Sequence, residues 1–349
     1  MRLGFWPPVY GNWIMTDNPD EGTGSYEYVK KTALLAEQLG FDTMLLAEHF
    51  IHPNGAKLDL VDAWTTATAV GALTRDIEII AAIKPGLRAP GVMAKMAASI
   101  DQISGGRFAI NLVSAWWLPE YEMLGVPVLE HDDRYARSEE YIDVLKGLWT
   151  QDDFSYSGKY FEIVGASISP KSIQQPHLPI YIGGESEAGR ALAARVADIY
   201  LFNGRLPHEV LPILEDMKLR AENFDRTLRF GISAFVICRD TESEARDEFF
   251  RLLELQHTDI RGGDKQVKMH QVLSKEVCKV GTNGGTLAGL VGTPTQIAER
   301  MVKFEELGIE TFLLQFHPTN DELYRFSTDV LPLLPVSNKP KNRNISIET

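Results

Sequence analysis

Along the chain, short apolar runs alternate with longer stretches in which apolar residues recur every three or four positions. The runs are LGFW (3–6), TMLLAE (43–48), IEIIAAI (77–83), FAINLV (108–113), IYIGG (180–184), IYLFNG (199–204), FGISAFVICR (230–239) and TFLLQF (311–316). A continuous apolar block bounded by turn residues reads as a strand buried on both faces, the habit of parallel sheets. Eight such strands separated by amphipathic stretches, the last followed by 322–334, predict an α/β chain folded as a (β/α)8 TIM barrel. That architecture needs about 250 residues. The chain has 349, so the surplus is assigned to insertions.

Helix-end signals agree with the alternation. Thr241 with Glu244 makes a capping box before a run in which Ala245, Phe249, Leu252 and Leu253 share a face. Thr293, Pro294 and Gln296 supply an N-cap, a proline at the first helical position and a box partner, followed by Ile297, Met301, Phe304 and Leu307. Gly40 and Gly308 stand where a helix-terminating glycine belongs.

Two segments break the pattern. FSYSGKYFEIVGASISP (154–170) alternates β-branched and aromatic residues around Ser157-Gly158, and predicts a hairpin inserted after the fourth helix, at about 151–175. The stretch 257–292 is polar, holds seven glycines and follows the seventh strand on the side where barrel active sites lie. It is expected to be a lid. The expectation is therefore one barrel domain over 1–335 with these two insertions, and a polar tail over 336–349.

Composition narrows the function. A formal net charge of −13, with no long Lys/Arg run, would repel a phosphate backbone and argues against nucleic acid. The chain has no apolar run of 18 residues and its first residues lack a signal-peptide core, so no membrane partner is expected. Two cysteines, Cys238 and Cys278, form no disulfide framework and no metal spacing, which fits reduced thiols and a cytoplasmic location.

The strand ends carry the candidate chemistry, and aromatics outnumber titratable groups there. In IYIGGESEAGR (180–190) a strand runs into Gly183-Gly184, and Glu185-Ser186 opens a helix. Free backbone N–H groups and a hydroxyl at a helix start suit a phosphate, although two glycines can simply make a tight turn. HDDRYARSEEY (131–141) sets Arg134 and Tyr135 at another helix start. EHFIH (48–52) brings Glu48, His49 and His52 together, but a zinc site wants three or four ligands and only His317 stands at another strand end. These histidines are read as pocket walls or as partners of backbone groups, and no metal is expected. In INLVSAWW (110–117), Asn111 is an amide among apolar residues and Trp116-Trp117 follow the strand. A buried amide needs partners, and such a carboxamide can bind a carbonyl or ring nitrogen of a heterocycle.

DQISGGRFAINLVSAWW, EHDDRYARSEEYIDVLKGLW, LPIYIGGESEAGRALAARVAD and LVGTPTQIAERM together resemble the bacterial-luciferase-like flavin-dependent monooxygenases, over nearly the whole chain. The resemblance implies a barrel that takes reduced FMN (FMNH2) from a separate NAD(P)H-dependent reductase and uses O2 to oxygenate a small molecule. By position, Tyr135, Gly184, Glu185 and Ser186 are then cofactor-binding, with Tyr135 and Ser186 at the phosphate. Asn111 and Trp116 match the pyrimidine monooxygenase branch, which makes them catalytic, with Asn111 also at the flavin. Trp6, Tyr10, His49, Trp64, Phe235, Asn283 and His317 are assigned to the substrate pocket.

Departures from the alkanesulfonate branch bear on substrate. That branch has Arg and His where Ser233 and Phe235 stand, Arg in the lid where Asn283 stands, His where Tyr10 stands and Cys where Leu60 stands. Without the two arginines the bidentate clamp for a sulfonate is missing. SAFVICRDTESEA resembles instead the dimethyl sulfone monooxygenase branch. A small organosulfur substrate, a sulfone or an alkanesulfonate cleaved at its C–S bond, is expected; Lys84 or Arg88 as an anion partner keeps sulfonates open. Oxidation of a small heterocycle or amide, and a deazaflavin-dependent oxidoreductase on the same barrel, are the alternatives. A flavin carrier without turnover is another, and a homodimer or homotetramer is expected by resemblance.

Overall fold

Eight parallel strands close on themselves in a computed structural model that describes residues 1–11, 24–52, 59–114, 117–258 and 279–335. The first half of the chain contains β1 (Arg2–Phe5), α1 (Tyr26–Gln38), β2 (Thr43–Leu46), α2 (Ala63–Leu73), β3 (Glu78–Ile83), α3 (Pro90–Ser104) and β4 (Phe108–Leu112). A short α4 (Leu118–Met123) and a long α5 (His131–Thr150) precede the hairpin β5 (Phe154–Ser157) and β6 (Glu162–Ala166). The barrel resumes with β7 (Ile180–Gly183), α6 (Glu187–Val196), β8 (Ile199–Phe202), α7 (Pro207–Glu222) and β9 (Arg229–Phe235). Then come β10 (Ile237–Cys238), α8 (Glu242–Thr258), β11 (Val291–Gly292), α9 (Pro294–Leu307), β12 (Thr311–Gln315) and α10 (Thr319–Arg325).

Around the barrel the order is β1, β12, β9, β8, β7, β4, β3 and β2, with β1 pairing both β12 and β2. Every barrel strand corresponds to one of the apolar runs. One barrel strand is shorter than its apolar run. FGISAFVICR does not continue as a single strand: β9 ends at Phe235, and Ile237–Cys238 leave the barrel to pair with Val291–Gly292. The last predicted helix also starts earlier, at Thr319, and after Arg325 it passes into a π-helical turn over Phe326–Val330 and a 3-10 turn over Leu331–Leu333.

The helices bury one stripe against the sheet. In α9, Ile297, Ala298, Met301 and Phe304 are buried, Thr293 and Gln296 cap each other, and Gly308 ends the helix at φ 103°. At the N-terminal side of the barrel, Arg2 bonds Glu78 at 2.9 Å and Tyr181 donates its hydroxyl to the same carboxylate at 3.0 Å. Charges at that face stabilise rather than catalyse.

The insertion is held by carboxylates of the barrel helices, Asp133 of α5 accepting from the Lys159 and Tyr160 side chains at 2.7 and 2.5 Å. Glu140 of α5 accepts the backbone N–H groups of Lys159, Tyr160 and Phe161 at 2.8, 2.9 and 3.3 Å. Asp101 of α3 accepts those of Ile173 and Gln174 at 2.6 and 3.1 Å. The predicted lid is described only over 279–292; its stretch 259–278, like the predicted tail 336–349, lies outside the described residues. Gln315 fixes the described part: its Oε1 accepts from Thr282 N at 3.0 Å, and its Nε2 lies 3.3 Å from Ser233 Oγ.

Candidate active site

A cavity of about 320 Å³ opens at the C-terminal ends of the barrel strands. Strand order decides its walls. Trp6 and Tyr10 follow β1; Ala47, Glu48 and His49 follow β2; Lys84 follows β3; and Asn111 sits in β4 beside Ala82 of β3. Gly183 and Gly184 come from the end of β7, Leu201 to Asn203 from β8, and Ser233 from β9. Thr282 and Asn283 cover one side and Tyr135 of α5 another.

One end is built for an anion. Ser186 is the N-cap of α6; its Oγ accepts from Gly189 N at 3.1 Å and lies 3.2 Å from the Tyr135 hydroxyl. Two hydroxyls and the positive end of a helix thus converge, from segments 51 residues apart. Gly184 keeps the approach clear at φ 127°: a Cβ there would project between the Tyr135 hydroxyl, 3.8 Å away, and Gly189 Cα, 3.7 Å away. Glu185 turns its carboxylate elsewhere. It pairs with Arg205 and accepts from Asn203 N at 3.2 Å, so what it offers an anion is its main chain.

At the deep end Asn111 is buried, and its Oδ1 meets no hydrogen-bond donor. A buried carboxamide oxygen without a partner is costly, by ~1–3 kcal/mol. A polar ring seated in the cavity would satisfy it. The site thus fits a flat heterocycle that carries a phosphate on a side chain.

Beside Asn111 lies a buried charged cluster. Lys84 Nζ pairs with Glu120 of α4 and sits 3.2 Å from His49 Nδ1, while His49 Nδ1 is 3.4 Å from the other Glu120 oxygen. Glu120 also accepts from Phe50 N at 2.8 Å, which locks α4 against the β2 loop. Burial works against the Glu120 charge, but His49 and Lys84 outweigh it and hold the carboxyl down at about 2. Burial pushes Lys84 and His49 below their ordinary ranges, in both cases against the pull of Glu120. Glu48 behaves oppositely: burial, only partly offset by Arg88 and Lys84, raises it to about 7. Arg88 is committed to Asp62 at 2.6 Å and Glu48 at 3.3 Å.

The structure gathers Trp6, Tyr10, His49, Asn111, Tyr135, Gly184 and Asn283 at the cavity, with Ser186 hydrogen-bonded to Tyr135. Three other predicted pocket residues stand outside the lining of this cavity. Trp64 is wholly buried behind β3, donating its indole N–H to Ala82 O at 2.8 Å and packing edge-on against Phe108. Phe235 is wholly buried beneath Gly281, where a Cβ would lie 2.6 Å from its ring. His317 is buried and is not a cavity residue. Trp116 lies outside the described residues, whereas Trp117 is buried with its ring 5.8 Å from His49. Lys84 appeared only as an optional anion partner and Glu120 not at all, although the position of Lys84, one residue past Ile83 at a strand end, was a usable signal. Among the described residues no cluster of three or more His, Cys, Asp or Glu side chains could hold a metal ion. Nor is any helix among them long and apolar enough to cross a membrane.

A model of the luciferase-like monooxygenase family matches residues 9–311. An FMNH2-dependent dimethylsulfone monooxygenase from Pseudomonas putida is 36% identical over 346 residues, spanning 96% of this chain and 95% of its own. A protein of the same description from Pseudomonas fluorescens (strain Pf0-1) is 33% identical, spanning 96% and 94%. An EDTA monooxygenase from Chelativorans sp. BNC1 has a similar structure, with a TM-score of 0.80 at 20% identity over 95% of this chain and 93% of that one. At such identity the structural likeness speaks for the barrel alone.

Proposed function

This chain belongs to the luciferase-like monooxygenase family, and from that premise we propose that it is a flavin-dependent monooxygenase of the two-component kind. It takes reduced FMN from a separate NAD(P)H-dependent reductase and uses O2 to oxidise a small organosulfur compound, dimethylsulfone foremost, with cleavage of a C–S bond. The observation that carries this reading is Asn111 Oδ1, buried and without a donor at the deep end of a cavity whose outer end carries the Ser186 and Tyr135 hydroxyls. Two relatives described as dimethylsulfone monooxygenases, each more than nine-tenths covered, support the substrate class. A homodimer or homotetramer in the cytoplasm, organised as one barrel domain, completes the proposal.

Bound here, the reduced flavin supplies the two electrons that activate O2. The chain's own residues bind, orient and keep water out. Ser186, Tyr135 and the main chain at Gly184 and Glu185 would hold the phosphate, with the helix dipole adding to the attraction. Asn111 would orient the ring system through its carboxamide. Trp6 and Tyr10 would wall off the reacting centre so that activated oxygen is not lost as peroxide.

The test is anaerobic titration with reduced FMN, followed by measurement of O2 uptake with a flavin reductase and NADH. Dimethylsulfone, methanesulfonate, longer alkanesulfonates and uracil are offered in parallel. Loss of one sulfur compound matched by O2 uptake is expected. Failure of reduced FMN to bind would refute the proposal and favour a deazaflavin cofactor.

A further inference from the structure

Resting on that reading, we propose that Lys84 is a catalytic residue whose ammonium anchors the oxygen-bearing group of the substrate, and that Glu120 and His49 are the positioning residues that aim it. Among the described residues that line the cavity, Lys84 is the one cation. An ammonium has three N–H donors. Glu120 takes one, and His49 Nδ1 at 3.2 Å accepts a second in the tautomer that carries its proton on Nε2, which leaves the third for the cavity that Lys84 lines. Arg88 cannot share the task, being held by Asp62 and Glu48 and stacked 5.1 Å from the Phe50 ring.

The arrangement suits sulfonyl oxygens more than a full anion. The Lys84 charge is already balanced by Glu120, so the third donor offers a strong, charge-assisted hydrogen bond without a surplus positive charge. Its value grows as the reaction proceeds. One atom of O2 enters a C–H bond next to sulfur and the other leaves as water, the reduced flavin giving two electrons and two protons. The α-hydroxy sulfone so formed breaks its C–S bond. The bonding pair stays on sulfur as a sulfinate, the hydroxyl oxygen becomes the carbonyl of an aldehyde, and the hydroxyl proton passes to solvent. Negative charge thus accumulates on the oxygens that Lys84 holds, and an interaction stronger in the transition state than in the ground state accelerates the step.

Lys84→Met is the direct test, but it leaves Glu120 buried without its cation, so the pair Lys84→Met with Glu120→Gln removes both charges together and strands neither. Three readings are made on wild type and both variants: reduced-FMN affinity, kcat and KM for dimethylsulfone, and binding of methanesulfinate as a competitive inhibitor and, directly, by NMR line broadening. Unchanged FMN affinity is expected. So are a fall in kcat/KM of about tenfold to a hundredfold, the worth of a charged hydrogen bond, and a matching loss of sulfinate binding in the double variant. A double variant that folds, turns over the sulfone with KM and kcat within threefold of wild type and still binds sulfinate would overturn the role of Lys84 alone. A wild type that binds no reduced FMN or oxidises no sulfone would instead overturn the functional reading beneath it.

Discussion

Removing the Glu120 carboxylate is the sharpest probe of how the charged cluster is held together. In Glu120→Ala three interactions disappear at a fully buried position: the pair with Lys84, the contact with His49 and the acceptor for Phe50 N at 2.8 Å. Breaking a buried ion pair from one side costs about 3–5 kcal/mol, because the other charge is stranded. Set against a total stability of about 5–15 kcal/mol for folded proteins, that is a large fraction. Lys84 has an escape, however. Burial already lowers its proton affinity, and without Glu120 only the weaker pull of Glu48 opposes that. Its folded pKa then falls well under the unfolded value of about 10.4. Between those two values the unfolded chain binds more protons than the folded one, so stability rises with pH. The deficit of the variant is expected to be largest near pH 6–7 and to narrow towards pH 9. Urea unfolding followed by far-UV circular dichroism at pH 6, 7.5 and 9 measures this, with Glu120→Ala/Lys84→Met expected to recover most of the loss. A deficit under about 1 kcal/mol at pH 7, or one that does not change up to pH 9, would refute the reasoning.

Other consequences are more local. Ser186→Ala loses both a helix N-cap, worth ~1 kcal/mol, and a phosphate donor. A lowered Tm and a roughly fivefold to tenfold weaker reduced-FMN affinity are expected, the latter from one lost hydrogen bond of about 1–1.4 kcal/mol; a change in Tm alone would place the phosphate elsewhere. Glu48 is raised from 4.5 to about 7, so the folded state binds the extra proton between those values and stability falls as pH rises through that window, by up to ~3 kcal/mol. Glu48→Gln should flatten that slope in a pH series of denaturant midpoints, and an unchanged slope would assign the pH dependence to other groups. Asn111→Ala should keep NADH and O2 consumption while diverting product to hydrogen peroxide, seen by peroxide assay alongside substrate loss.

The strands were legible because each is a continuous apolar run bounded by turn residues, and a barrel buries both faces of every strand. That same property misled at FGISAFVICR, since apolarity does not reveal that Val236 ends the barrel ladder; the partner that draws Ile237–Cys238 away is more than fifty residues distant. The anion end was readable in outline, as Ser186 follows two glycines and opens a helix. Trp64, Phe235 and His317 were placed in the pocket because strand-end and loop aromatics favour it, but sequence does not say which way a ring turns, and Trp64 found an internal acceptor at Ala82. Lys84 and Glu120 escaped for a different reason. Each is ordinary in its own segment, and only the packing of α4 onto the β2 and β3 loops makes them a pair 36 residues apart in sequence.

The main-chain grip of Glu140 and Asp101 gives this insertion the character of an exchangeable cassette. Glu140 and Asp101 stand on helices of the parent scaffold and hold the graft mainly through its main-chain N–H groups, Asp101 also accepting from the Gln174 side-chain amide at 2.8 Å. A transplanted loop of another length is therefore expected to seat where it presents amides at those two anchor points and partners for Asp133, so that evolution or a protein engineer can remodel this part of the scaffold apart from the chemistry at the barrel mouth.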